Sequence, residues 1–346
     1  MSMSRTASRP WPTPRLPPNW LAATRCVGDL QSRQSSRQRD RRSTLTTPRR
    51  RATDGKACSV IIAAHNAADV LSVQLDALAR QEGDIALEVI VVANQCSDGT
   101  VALVERYQRA GDYRHDLRVI RADERAAATY ARNQGVEIAS YPMLLVCDAD
   151  DIVWPTWSHE LYLSLLDADL VGGATVRWNP HDHPDPASIQ HLEISFAGEV
   201  RYDFLPAVVG ANHAFRRSIW DKIGGYDESF VNATDVDFAW RAQLAGARFA
   251  SNEKALVYYR DRPTVHGEYV RHRAYGRADA QLFRKFRKYG MPKPRRLRRR
   301  PSVRYVHQLV TAYRLLTPDG RRTWIGHLGK NVGRLQGSLK HHVLYL

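Results

Sequence analysis

Three carboxylates crowd one short turn, Asp148-Ala149-Asp150-Asp151, directly after the apolar run Met143–Cys147. Charges this close repel one another, so a folded cluster of this kind calls for a cation or several amide donors. Mg2+ or Mn2+ held by few protein ligands, with substrate phosphates completing the shell, is one reading. The other is a solvated turn in which Asp151 caps a helix near Pro155. A second acidic group, Thr234-Asp235-Val236-Asp237, opens a helical pattern. A carboxylate there suits a general base that takes a proton from an acceptor hydroxyl. An N-cap in a favourable helix dipole explains the same residues. Arg132, in Ala131-Arg-Asn-Gln-Gly135, is a candidate partner for a diphosphate or a surface arginine before a C-cap glycine. His181 and His183 stand close together in a Pro-rich loop and read as solvated.

These groups need elements that bring them together. Cys58–Ala63, Leu87–Val92, Leu117–Ile120 and Met143–Cys147 are short apolar runs. Between them, Val70, Leu71, Leu75 and Leu78, then Val101, Val104 and Tyr107, recur at helical spacing, and Ala126–Ala139 is Ala-rich. Strand alternating with helix predicts βαβ units and a mostly parallel sheet. Such sheets bind ligands at the carboxyl ends of their strands. The polar turns at 64–66, 94–99 and 148–151 all fall there. Further on, the pattern predicts a strand over 170–178, helices over 217–223 and 235–244, a strand over 255–259 and a long basic helix over 270–289.

Composition sets the limits. Of 346 residues, 43% are hydrophobic, enough for a real core. No run reaches the ~18 apolar residues of a membrane span. No secretory leader is visible, and four separated cysteines fit a reducing, cytoplasmic setting. The net charge of +15 is unevenly spread. Residues 1–55 carry 12 Arg against 3 Asp and read as a disordered basic arm. Residues 281–346 carry 17 Lys and Arg against Asp319 alone. The remaining 56–280 holds 22 basic and 32 acidic residues. The acidic middle argues against nucleic acid as substrate and suits a site that holds a cation. The basic ends would attract phosphates or anionic lipid. A nucleic-acid-binding protein explains the ends but leaves the acidic turns idle. A nucleotidyltransferase would need a Gly-rich basic loop after the first strand, which Ala64-His-Asn-Ala67 is not.

Residues 57 to about 290 resemble the family 2 glycosyltransferases of GT-A fold. The resemblance is carried by Ser59–Asn66, Ser97-Asp-Gly-Thr100, Ala131–Gly135, Asp148–Asp151, Gly210–Arg217, Gly225–Phe230 and Asp235–Arg241, in the family's order. It implies a Rossmann-like sheet with flanking helices over 56–290, and 291–346 as a helical extension. It implies transfer from a nucleotide-diphosphate sugar to a hydroxyl acceptor (a glycan, glycolipid or lipid-linked saccharide) by inverting displacement with Mg2+ or Mn2+. Ala64, His65 and Asn66 would line the nucleobase and ribose, with Arg132 nearby. Asp148 would face the ribose, Asp150 the metal, and Asp235 would be the base. Three positions depart from the family pattern. The second strand ends in Asn94, where paired Asp is usual; Asn94 can still meet a base edge. Thr234 stands where Glu is usual. Tyr258-Tyr259 replaces a metal-binding His, for which His266 is a candidate substitute.

Beyond Gly290 the resemblance fades. Val306, Leu309, Val310, Tyr313 and Leu316 form an apolar helical face among arginines, and 324–346 repeats the pattern. Basic amphipathic helices of this kind either lie at membrane surfaces or pack back on the catalytic domain. The cytoplasmic face of the cell membrane, as a peripheral enzyme of cell-surface polysaccharide synthesis, is the expected location.

Overall fold

The computed structural model describes residues 56–179, 194–196, 198, 200–261, 264–293, 306 and 308–345. The proposed disordered arm at 1–55 and the His181/His183 pair lie outside the described residues.

The chain alternates as expected: β1 (Ala57–Ala64), α1 (Leu71–Ala79), β2 (Ala86–Ala93), α2 (Thr100–Ala110), β3 (Asp116–Arg121), α3 (Ala128–Ile138) and β4 (Met143–Asp148). Then come β5 (Ile152–Val153), α4 (Trp157–Asp167), β6 (Leu170–Trp178), β7 (Ile194–Phe196), β8 (Val200–Arg201) and β9 (Leu205–Pro206). The remainder is β10 (Asn212–Arg216), α5 (Arg217–Ile223), α6 (Thr234–Leu244), β11 (Phe249–Arg260), α7 (Val265–Phe286) and α8 (Pro318–His341).

The main sheet runs β3-β2-β1-β4-β10-β6-β11-β5, with β7 on β6. Strands β3, β2, β1 and β4 are mutually parallel. β10 is antiparallel to both β4 and β6. The chain leaves β1 toward β2, then returns to β1's other side as β4. That reversal opens a crevice at the carboxyl ends of β1 and β4, the usual ligand position in such sheets. In that register Asp148 lies opposite Ala63.

Both faces of the sheet are covered, which is why these strands read as unbroken apolar runs. One face packs on α1, α2 and α4 through Leu71, Leu75, Val104, Trp157 and Leu161. The other packs on α3, α5 and α6 through Tyr130, Trp220, Tyr226 and Phe238. Gly135 sits inside α3 rather than at its end. A Cβ there would come within 2.6 Å of Ile61 Cγ2, so the glycine lets α3 lie close on the sheet. The C-cap expectation for Gly135 is therefore corrected: its role is helix–sheet contact.

β10 is the element the sequence pattern hid. The sequence pattern predicts no strand between 178 and α5. Asn212 is fully buried, with Trp157 Nε1 donating to its Oδ1 at 2.8 Å and its own Nδ2 donating to Ala174 O and Ala255 O, each at 2.7 Å. One polar side chain thus ties β10 to α4, β6 and β11, and its polarity masks the strand's apolar character.

The C-terminal helix packs on α7. α8 lies along α7 with glycines at the contact: Gly329 against Tyr269 O, Gly333 against Arg273 O and Gly337 against Arg277 O. The constant offset shows that the two helices run parallel. Buried Asp279 on α7 is met by Arg334 at 2.7 Å and by the Tyr202 hydroxyl at 2.5 Å. No helix among the described residues is long and apolar enough to cross a membrane.

Candidate active site

Three strand ends build the rim. After β1, Asn66 enters the left-handed region (φ 48), which asparagine tolerates better than most residues. Its Oδ1 accepts from Ser97 N at 2.9 Å. Asp98 accepts from Ala68 N at 2.9 Å and from Thr100 N at 3.0 Å. Burial works against its ionisation, yet these bonds, with the Thr100 hydroxyl, hold its carboxyl below the ordinary value. The loops after β1 and β2 are thereby cross-linked. Exposed His65 donates from Nδ1 to Asn94 O at 2.7 Å, which turns its ring along the rim. Ala64 is buried, and its carbonyl accepts from Asn94 N at 2.8 Å. Ala64 thus contributes a floor rather than a side-chain contact.

Asn94 is buried, and its amide is spent within the protein. Nδ2 donates to Ala122 O at 2.5 Å and to Arg125 O at 2.7 Å, while Oδ1 accepts from Ala127 N at 3.0 Å. Asparagine here anchors the loop that launches α3. An aspartate would set a negative charge against two carbonyl oxygens. The departure from the family's paired Asp thus has a local cause.

Arg132 projects from α3 into the site and is buried, not a surface residue. Its Nη2 donates to Asp148 Oδ1 at 2.7 Å and to Gly210 O at 3.3 Å. Burial disfavours the guanidinium charge, but Asp148, Tyr226 and Asp235 together raise its pKa above the ordinary value. Next to it, Asn133 donates to Tyr226 O at 3.0 Å and accepts from Tyr226 N at 2.9 Å. One helix turn therefore fixes both the cation and the Gly225–Phe230 loop.

The three carboxylates of the acidic turn separate in space. Asp148 takes Arg132. Asp151 is buried and accepts from Arg260 N at 2.8 Å, so it ties the turn to β11. It does not cap α4, whose N-cap is Thr156. Asp150 lies half-buried between them. Among the described residues, no three His, Cys, Asp or Glu side chains group so as to hold a metal alone. His266 is exposed on the first turn of α7. Tyr258, for which the resemblance implies a metal-binding His in many relatives, packs on Trp154 with ring centroids 5.6 Å apart.

Asp235 lies in the first turn of α6. Its Oδ2 accepts from Gly210 N at 2.8 Å and its Oδ1 from Val236 N at 2.9 Å. Burial pushes its carboxyl above the ordinary value, although the Val236 amide and the charges of Arg201 and Arg132 pull the other way. Preceding Ala233 holds φ 55, a left-handed conformation that costs a non-glycine residue roughly 1–2 kcal/mol. Asp237 serves a different purpose. It is fully buried, 2.7 Å from Arg241 Nε and 2.5 Å from Lys285 Nζ. The two aspartates of one motif thus divide: one faces the crevice, the other fastens α6 to α7.

Sequence reasoning missed two contributors. Gly210 links Arg132 to Asp235, and only its place in a family motif marked it. Arg201 stands on β8, in a stretch without periodicity, and nothing in the sequence signalled it.

The profile described as "Glycosyl transferase family 2" matches residues 59–224, and that of "Glycosyl transferase family group 2" matches residues 143–320, more than half of the chain. The chain belongs to the family 2 glycosyltransferases. It is 24% identical over 246 residues to hyaluronan synthase of Pasteurella multocida, covering 61% of this chain and 25% of that protein. It is 35% identical over 112 residues to the Escherichia coli glycosyltransferase YibD, covering 32% of this chain and 31% of that one. The chain thus spans about a quarter to a third of these relatives. Its fold is that of a mannosyltransferase from Pyrobaculum calidifontis solved with GDP-Man and Mn2+, at TM-score 0.59 and 17% identity over 93% of this chain and 98% of that one. The GT-A expectation holds.

Proposed function

We propose that the enzyme transfers a sugar from a nucleotide-diphosphate sugar to a hydroxyl acceptor with inversion. The observation that carries this reading is the chain of contacts at the strand ends in which Arg132 joins Asp148 to Gly210, and Gly210 joins Arg132 to Asp235. His65 and Asn66 line the nucleobase and ribose, over a floor made by Ala64 and shaped by Asn94. Asp148 faces the ribose. Arg132 offsets charge on the diphosphate. Asp235, its affinity for a proton raised by burial, accepts the acceptor's hydroxyl proton. The freed oxygen pair bonds to the anomeric carbon, and the bond to the diphosphate breaks with its electrons leaving on phosphate oxygen.

The acidic turn fits a cation carried largely by substrate. On the resemblance of Asp148–Asp151 to the family's acidic motif, we assign half-buried Asp150 to Mg2+ or Mn2+, ions that need few carboxylates when phosphates and water complete the shell. Such an ion supplies Lewis-acid neutralisation of the departing diphosphate. The acceptor in this reading is a glycan, glycolipid or lipid-linked saccharide, met by a peripheral enzyme at the cytoplasmic membrane face.

A melting-temperature screen with UDP-, GDP- and dTDP-sugars tests it, with and without Mn2+. A bound donor should raise Tm by mass action. EDTA and Asp150→Asn should each remove that rise while leaving the unliganded Tm unchanged. A screen with no responding donor, or a rise indifferent to both changes, would overturn the assignment.

A further inference from the structure

The segment between α7 and α8 is folded with its polarity reversed. Gln308 is only 8% exposed, whereas Leu309 is 71% and Leu316 83% exposed. Gln308 Nε2 donates to Trp324 O at 3.0 Å, and Trp324 Nε1 donates back to Gln308 O at 2.8 Å. That reciprocal pair fastens the segment to α8 by its polar side. Val306, Leu309, Val310, Tyr313 and Leu316 are left facing outward at helical spacing. A helix ordinarily buries such a face, and a contiguous exposed apolar patch marks an interaction surface.

Charge decides between occupants. The adjoining sequence 294–304 carries Arg295, Arg296, Arg298, Arg299, Arg300 and Arg304. Exposed Arg314 follows, and Asp319 is the one acidic residue in 281–346. A second copy pairing through this same segment would bring the same positive charge, and so would the chain's own residues 1–55. An anionic bilayer suits both features: acyl chains take the apolar face, and headgroup phosphates attract exposed Arg314 and the basic charge of the adjoining sequence.

We infer that the face Val306–Leu316 is a docking element that seats the enzyme on an anionic lipid surface. This deepens the peripheral-membrane part of the proposed function and rests on it, but not on the identity of the sugar. Held by α8, which lies along α7, the element would carry the catalytic domain at a set height above the bilayer.

The test is co-sedimentation of the full chain with vesicles of phosphatidylcholine alone or mixed with phosphatidylglycerol. The wild type should sediment with the anionic vesicles and not the neutral ones, and less so at high salt. Leu309→Ser/Leu316→Ser should weaken partitioning at least about tenfold, with unchanged Tm and nucleotide affinity. Equal sedimentation of variant and wild type would overturn the proposal, as would wild type that ignores anionic vesicles. A concentration-dependent dimer lost in the variant would give the face to a protein contact instead. Donor binding is read separately, so failure of the catalytic reading leaves a distinct signature.

Discussion

Arg132 and Asp235 hold opposite ends of the same residue: Gly210 O accepts from Arg132 Nη2 at 3.3 Å, and Gly210 N donates to Asp235 Oδ2 at 2.8 Å. A Cβ on Gly210 would stand 3.6 Å from each of them, so the glycine fills the space between cation and carboxylate without separating them. The group assigned to the diphosphate and the group assigned to the acceptor proton are thereby fixed relative to each other through one backbone unit.

Asp235→Asn should still fold and bind donor, because Asn keeps the side chain's size and an oxygen that can accept from Gly210 N or Val236 N. Turnover should fall by ~10²–10⁴-fold with the base removed. The pH dependence of stability checks the environment. Burial raises the folded-state pKa, so this carboxyl's contribution is fully present below its unfolded value of about 3.9 and is lost as pH rises through the folded value. The difference in stability between variant and wild type should therefore move in the variant's favour as pH rises through that window. Denaturant melts at several pH values measure it.

Asn94→Asp restores the family's charge and should nonetheless harm this enzyme. It removes two donors to Ala122 O and Arg125 O, leaving buried carbonyls without partners at a cost of ~1–3 kcal/mol. Because the same loop launches the helix that carries Arg132, donor affinity should fall together with Tm. A tighter-binding variant would show that the charge matters more than the loop.

His213 predicts acid lability. It is fully buried between Val209 O and the Tyr226 hydroxyl, and burial lowers its pKa to about 3. The unfolded chain binds this proton near pH 6.5 and the folded chain does not. Its stabilisation is thus present above pH 6.5 and lost as pH falls toward 3. At about 1.4 kcal/mol per pKa unit, the loss reaches several kcal/mol. His213→Phe should melt with a shallower pH slope in that window, whatever its absolute Tm.

The glycine contact between α7 and α8 is graded. A Cβ at Gly333 would lie 2.0 Å from Arg273 O, which is backbone, whereas one at Gly326 would meet the His272 ring at 3.1 Å, which is side chain. Gly333→Leu should destabilise by ~1–3 kcal/mol or release α8 to protease, and Gly326→Ala should do much less. Limited proteolysis beside thermal melts distinguishes the two.

The order of strands and helices up to β4 was legible in the sequence because each strand is covered on both faces, and continuous apolar runs report that locally. The acidic turn and Asp235 were legible for the same reason: they follow directly on those runs or open a periodic helix. β10 was not, because Asn212 is satisfied by Trp157, Ala174 and Ala255, none of them near it in sequence. Nor could spacing tell which carboxylate serves the site. Asp148, Asp150 and Asp151 look alike in a row, and Asp235 and Asp237 look alike on a helix. Only the tertiary structure divides them, by bringing the Arg132 guanidinium to Asp148, the Arg260 backbone amide to Asp151 and the Lys285 ammonium to Asp237. The tail follows the same rule. Its sequence determined that the segments would be basic and amphipathic. Which face turns inward was decided by the Gln308–Trp324 pair and the glycine seam on α7, contacts that exist only once distant residues meet.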